Sequence, residues 1–222
     1  MDRREVSSRS NPFIRALASA LVRTSVSANQ ISAFSAAVAL LVPAGLLCVG
    51  GWAGLALALL GIQLRLLANV IDGLVAVEGG KSSPVGALYN EFPDRISDSI
   101  ILVSIGYAAH LPAAGWCAAL FAALTAYVRA FGGALGHPQT FAGPMAKQHR
   151  MAVCTGALLL WAGAGRLSSI AGHADVILQA ALWIVIVGSA WTCSRRTWII
   201  RQQISQARAP DGATATPTDA AA

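Results

Sequence analysis

Charge is scarce in this chain. Of 222 residues only 12% are Asp, Glu, Lys or Arg, about half of the roughly 25% found in soluble domains. With 55% hydrophobic residues and a mean hydropathy of +0.59, an ordinary soluble domain is excluded. Lysine is nearly absent, two residues beside fourteen arginines, and with the abundance of alanine this points to a GC-rich bacterial genome. Cys48, Cys117, Cys154 and Cys193 stand singly in apolar runs. Without metal-ligand spacing they are expected to be buried small hydrophobes, not a redox or zinc set. No internal repeat is evident, which counts against a transporter of inverted halves. No cleavage site accompanies the first apolar run, so no processing is expected.

What is present is a series of apolar runs, at residues 31–50, 52–77, 90–109, 113–133, 151–170 and 175–192. Each is near the roughly 20 residues that cross a bilayer. The expected fold is an all-α integral membrane protein with six transmembrane helices and an N-terminal interfacial amphipathic helix. Residues 1–30 read as a tail, disordered over 1–11, followed by that helix; 31–195 as the membrane domain; 196–222 as a basic segment and disordered tail. The stretch from Pro12 to Arg23 sets Phe13, Leu17 and Leu21 on one side, suited to the membrane interface or to packing beneath the bundle. Asn29 is a candidate cap of the first span or else faces a bound ligand.

Basic residues set the orientation. All lysines and arginines except Arg65 and Arg166 fall at or near the side of the two termini, while the connections around Gly50 and from His110 to Ala113 carry none. Both termini and the 78–89 loop are therefore expected in the cytoplasm, with the protein in a bacterial inner membrane. The net charge of +6 and pI near 9.7 describe a rim that attracts anionic lipid headgroups. Nucleic acid is not an expected partner.

One polar segment interrupts the apolar pattern, NVIDGLVAVEGGKSSPVGALYNEFPDRISD at residues 69–98. Asn69 and Asp72 are three apart, and Asn90, Asp94 and Asp98 recur every four, so each set shares a helix face. Carboxylates and amide carbonyls are hard oxygen donors suited to Mg²⁺ or Mn²⁺, and through the ion to phosphate. Pro93 is tolerated if its helix starts near Tyr89, because an early position needs no N–H. Glu91 points about 100° from Asn90 and reads as solvated. Arg65, an ionisable residue within a span, calls for a cavity or a partner, or snorkels to the interface.

The order and spacing of Asp72, Gly73, Ala76, Gly86 and Asp94 resemble the signature of the CDP-alcohol phosphotransferases, D-x2-D-G-x2-A-R-x8-G-x3-D-x3-D. Asn69, Val77 and Asn90 depart from it, at two metal-binding aspartates and an arginine. The resemblance implies transfer of a phosphatidyl group from CDP-diacylglycerol to a polar alcohol, phosphorylated or not, with release of CMP, by a homodimer in the lipid bilayer. It implies that Asn69, Asp72, Asn90 and Asp94 take metal positions, with Asp94 also the general base. Two missing carboxylates leave one or two Mg²⁺ or Mn²⁺ ions open, and Asp98 is a candidate third carboxylate or second catalytic acid, or else an ion-pair partner of an arginine. Gly73, Ala76, Lys81, Ser83 and Gly86 are the nucleotide and phosphate candidates, Lys81 standing in for the missing arginine or remaining a solvated loop residue.

A second cluster, Tyr127, Arg129, Gly143, Lys147 and Arg150, resembles the YxRA and downstream basic pattern of phosphatidyltransferases with phosphorylated or polyol acceptors. Arg129, Lys147 and Arg150 are thus acceptor-binding candidates, because guanidinium forks match phosphate; plain positive-inside anchoring is the alternative. His137 and His149 follow no metal spacing. The motif departures leave a second function open, a catalytically degenerate relative that binds a nucleotide lipid or serves as a membrane partner.

Overall fold

The computed structural model describes residues 11–81, 84–165 and 171–207, and among them no strand occurs. Ser83, Arg166, the tail before residue 11 and the tail after 207 lie outside the described residues. Seven helices carry the fold: α1 (Pro12–Val22), α2 (Ala28–Ala39), α3 (Gly51–Glu78), α4 (Gly86–Ala108), α5 (Pro112–Ala134), α6 (Lys147–Ala164) and α7 (Asp175–Ala207). The line of α2 continues through a short helical turn at Leu41–Pro43 and a π-helical stretch at Ala44–Val49.

Local chemistry explains the helix ends. At α1, Asn11 accepts a hydrogen bond from Phe13 N at 2.9 Å and Pro12 takes the first turn, where its missing N–H costs nothing. The cap of α2 is Ser27, not Asn29: Ser27 Oγ accepts from Gln30 N at 3.2 Å while Gln30 Oε1 accepts from Ser27 N at 2.9 Å. This reciprocal box satisfies two N–H groups, and Ser27→Ala would cost about 1 kcal/mol. Between α2 and α3 the chain reverses at Gly50 and Gly51, with φ of 67° and 56° that side chains resist. Gly45 and Gly54 then meet so closely that a Cβ on either would strike the other's carbonyl.

Two sequence expectations for α4 change. The helix starts at Gly86, three residues before Tyr89, so Pro93 lies inside it and deprives the Tyr89 carbonyl of its helical donor. Glu91, its side chain 39% exposed, is not only solvated but also receives Arg129. Cys48 is also exposed, because it sits on the outer side of the π-helical stretch; Cys154 is buried as expected, and Cys117 and Cys193 are half-buried. All four are free thiols.

The main core is a column of small and aliphatic side chains from α2 to α7, including Val42, Ile62, Ile101, Ala118, Leu158 and Leu182, all at most 1% exposed. A second cluster holds α1 beneath the bundle, where Ile14, Leu17, Ala18 and Leu21 meet Ile71, Leu74 and Val75 of α3. Phe13 leaves that face and is 72% exposed. Ala18 has no spare room, and leucine there would overpack by about 1–3 kcal/mol.

Large apolar side chains such as Trp116, Leu160, Trp183, Val187 and Trp191 point outward, the inverse of a water-soluble surface. Among the described residues four helical segments are long and apolar enough to cross a membrane: Ala28–Val49, Gly51–Glu78, Pro112–Ala134 and Asp175–Gln206. The expected third and fifth spans fall short for visible reasons. The first half of α4 carries Glu91, Asp94, Arg95 and Asp98, and α6 has 18 residues that begin with Lys147 and include Arg150.

Candidate functional site

The starts of α2, α4 and α6, the ends of α3 and α5, and Arg196 of α7 surround an open cavity of about 780 Å³. No side chain caps α4 or α6 at the N-terminus, so their first N–H groups and dipoles favour an anion there. Of the residues singled out in the sequence, Asn69, Asp72, Gly73, Ala76, Lys81, Gly86, Asn90, Asp94, Arg129, Lys147 and Arg150 line this cavity. Asp98 does not; it lies one turn deeper in α4.

Asp72 is 5% exposed and accepts a hydrogen bond from Ser32 Oγ of α2 at 2.5 Å. Among the described residues no salt bridge ends on it. Asp94, also 5% exposed, is instead crowded by cations. Lys147 Nζ donates to its Oδ2, Arg95 Nη2 lies 3.6 Å from the same oxygen, and Arg65 Nη2 lies 3.5 Å from Oδ1. Lys147 also donates to Asn69 Oδ1. The Asn69 amide is aimed by its own donors, since Nδ2 reaches Ser35 Oγ at 3.1 Å and the Arg65 carbonyl at 3.3 Å.

Below this layer, Asp98 is held between two arginines. Arg65 Nη2 donates to Oδ1 at 2.5 Å and Arg150 Nη2 to Oδ2 at 2.7 Å, with all three side chains at most 1% exposed. Arg150 also donates to the Met145 carbonyl at 2.9 Å and to Thr125 Oγ1 at 3.3 Å. Three helices are thus locked through one buried carboxylate, the ion-pair alternative weighed for Asp98 and the partner that Arg65 required. Removing one member of such a set strands the others without water.

On the far wall, Arg129 donates to Glu91 Oε1 at 2.5 Å and to Gln139 Oε1 at 3.1 Å, with its guanidinium 5.2 Å from the centre of the Phe141 ring. Arg196 donates to the Thr125 carbonyl at 2.5 Å and the Ala142 carbonyl at 2.9 Å. The 135–146 loop is pinned besides by Met145 N, which donates to Thr192 Oγ1 at 3.1 Å. Lys81 donates to the carbonyls of Thr24 and Val26, at 2.5 and 3.2 Å, and so closes the end of α1 as well as edging the cavity.

Ser32, Glu91 and Arg196 were not singled out as site residues. Ser32 follows a recognisable capping pattern yet looks like any apolar-run serine, and Arg196 looks like an anchor at a helix end. Their tertiary partners, 40 and 71 positions away, carry the signal.

The donor set suits one divalent ion better than two. Asp72 is a buried carboxylate with no ion pair among the described residues, and Asn69 and Asn90 add amide oxygens to the same cavity. Yet Asn69 Oδ1 and Asp94 Oδ2 already receive an ammonium. Among the described residues no three His, Cys, Asp or Glu side chains stand together as a metal cluster.

No family model matches the chain. A phosphatidylinositol phosphate synthase of Streptomyces avermitilis is 29% identical over 162 residues, 69% of this chain and 64% of the relative's length. Among solved structures, the Mycobacterium tuberculosis phosphatidylinositol phosphate synthase superposes with a TM-score of 0.62 at 21% identity, both in complex with manganese and citrate and with CDP-DAG bound. The alignments cover 85% and 86% of this chain and 88% and 94% of the respective neighbours. At that identity the neighbours speak for the fold. The chain is thus similar in fold to this synthase and, over part of its length, similar in sequence to the Streptomyces enzyme.

Proposed function

We propose that this chain is a membrane phosphatidyltransferase that moves a phosphatidyl group from CDP-diacylglycerol to the hydroxyl of a polar alcohol, releasing CMP in phospholipid synthesis. The observation that carries the reading is the meeting of α3 and α4 at one cavity, lined by Asp72, Asp94 and Arg129 together with the uncapped starts of α4 and α6. A pyrophosphate needs that combination of oxygen donors for a cation and positive groups for its own charge.

In the reaction the acceptor oxygen forms a bond to the phosphorus that bears the diacylglycerol, and the bond from that phosphorus to the CMP oxygen breaks. CMP leaves with the electron pair. Asp94 takes the proton of the attacking hydroxyl, for which its oxygen must leave Lys147. Arg129 orients a phosphate or polyol acceptor after parting from Glu91. Lys147 and Arg150 complete the acceptor side, Arg150 chiefly by holding Asp98 and the α6 start in place. Gly73, Ala76 and Gly86 leave room for the nucleotide beside Lys81. Asp72 with Asn90 would hold a divalent ion, Mg²⁺ or Mn²⁺, whose charge would offset that of the pyrophosphate when bound.

The same reading makes all six long helices spans, α4 and α6 included, in a bacterial inner membrane. The charges of α4 and α6 turn into the bundle, where Asp94, Asp98 and Arg150 are buried, and leave outer faces such as Leu159 and Leu160 to lipid. Termini and cavity face the cytoplasm, and a homodimer completes the assembly. The Asp94 cation shell favours one rival, a relative that binds a nucleotide lipid without turnover. Purified protein given cytidine-labelled CDP-diacylglycerol and a panel of polyols and phosphorylated polyols separates the two. Release of CMP together with a new phospholipid in the mass spectrum is expected. Retention of the nucleotide lipid without CMP release would leave the binding reading.

A further inference from the structure

Lys147 is the first residue of α6, where the helix dipole repels a cation. It nevertheless reaches across the cavity to two oxygens from two other helices, Asn69 Oδ1 of α3 and Asp94 Oδ2 of α4. These stand at two of the four metal positions of the signature. Asn69 has no freedom to turn its amide away, because Nδ2 is engaged by Ser35 and the Arg65 carbonyl. The backbone that carries Lys147 is held in place as well: three residues on, Arg150 is anchored to Asp98, and the preceding loop is tied to Thr192.

Charge matches charge at this point. A carboxylate with a neutral amide presents one negative charge, which the Lys147 ammonium matches even before Arg95 and Arg65, 3.6 and 3.5 Å from the same carboxylate, are counted, whereas two carboxylates would call for a divalent ion. Asp72, with no salt bridge among the described residues, is left for such an ion. We infer that the Lys147 ammonium is a built-in cation of the site, filling the Asn69–Asp94 position and excluding a divalent ion from it, so that the cavity takes one divalent ion, at Asp72. The inference rests on the cation reading of this cavity but not on turnover.

The test is Mn²⁺ binding to the full chain in detergent micelles, by calorimetry for stoichiometry and affinity and by electron paramagnetic resonance for coupling between ions. Wild type is expected to bind one Mn²⁺ without a coupled-pair spectrum. Lys147→Met is expected to bind a second ion, with a coupled-pair spectrum, and Asp94→Asn added to it should abolish the second ion. Lys147→Arg should behave as wild type, and Lys147→Gln serves if the methionine variant does not fold. Two Mn²⁺ ions in wild type, or the same Mn²⁺ binding in wild type and in both uncharged variants, would overturn the inference. CMP release is scored separately: a second ion gained by Lys147→Met in a protein that releases no CMP upholds the built-in cation and removes only the transferase reading.

Discussion

Arg150 of α6 and Asp98 of α4 face each other at 2.7 Å with both side chains 1% exposed. Arg65 of α3 closes the other side of the same carboxylate at 2.5 Å. This buried set sits one turn below Asp94 and fixes the relative height of three helices, and so the geometry of the cavity above it.

Replacing Asp98 by Asn therefore strands two buried guanidinium groups. A loss of about 3–5 kcal/mol is expected, the usual cost of removing one partner from a buried ion pair. Thermal unfolding of detergent-solubilised protein reads this as a lower midpoint. A midpoint equal to that of wild type would show that Asp98 does not hold the helices.

Asp94→Asn keeps size and an oxygen ligand but removes the proton acceptor. Transfer should fall by about 10²-fold or more, while CDP-diacylglycerol binding falls less. Asp72→Asn should weaken cation and CDP-lipid binding together. CMP release that persists unchanged in Asp94→Asn, with every acceptor that wild type uses, would remove Asp94 as the base.

Restoring carboxylates at Asn69 and Asn90 raises the negative charge facing the cavity by two. Asn69→Asp with Asn90→Asp should tighten divalent binding by about 10-fold or more, as charged oxygen ligands replace neutral ones. Calorimetric titration of Mg²⁺ or Mn²⁺ checks it, and equal affinities would mean that these side chains stay out of the ion's shell.

The cavity, Lys81 and the start of α6 share one end of the bundle, with the Gly50 and His110 turns at the other. If basic residues set orientation, reporters placed near Lys81 and after Ala222 should both read cytoplasmic, and one near Ala113 external. Matching signals at Lys81 and Ala113 would refute the six-span arrangement.

Lys81→Ala probes the α1 junction. Loss of its bonds to the Thr24 and Val26 carbonyls should lower stability by about 1 kcal/mol. A loss of CDP-lipid affinity at unchanged stability would instead assign the ammonium to the ligand.

Much was legible in the sequence because it is local. Helix length follows from the span of an apolar run, and the pairing of Asn69 with Asp72, or of Asn90 with Asp94, follows from 3.6 residues per turn. The end of α3 and the start of α4 are eight residues apart, so that their oxygens share a wall was also within reach. Even local rules left choices open: Ser27 and Asn29 are both good caps, and the box with Gln30 decides for Ser27.

Partners across helices were beyond such rules. Lys147 meets Asn69 and Asp94 over 78 and 53 positions, and Asp98 meets Arg65 and Arg150 over 33 and 52. Nothing in the spacing of α4 says whether its charges face a ligand, lipid or one another. Sequence by itself determined the helices, their apolar lengths and the oxygen-bearing faces of α3 and α4, because those depend on neighbours within about one turn. Tertiary structure alone decided that Asp98 is a buried anchor, that Asp72 is left without an ion pair among the described residues and that an ammonium lies between Asn69 and Asp94. Those outcomes depend on how six long helices pack, and desolvated charges then settle on whichever partners the packing brings within reach.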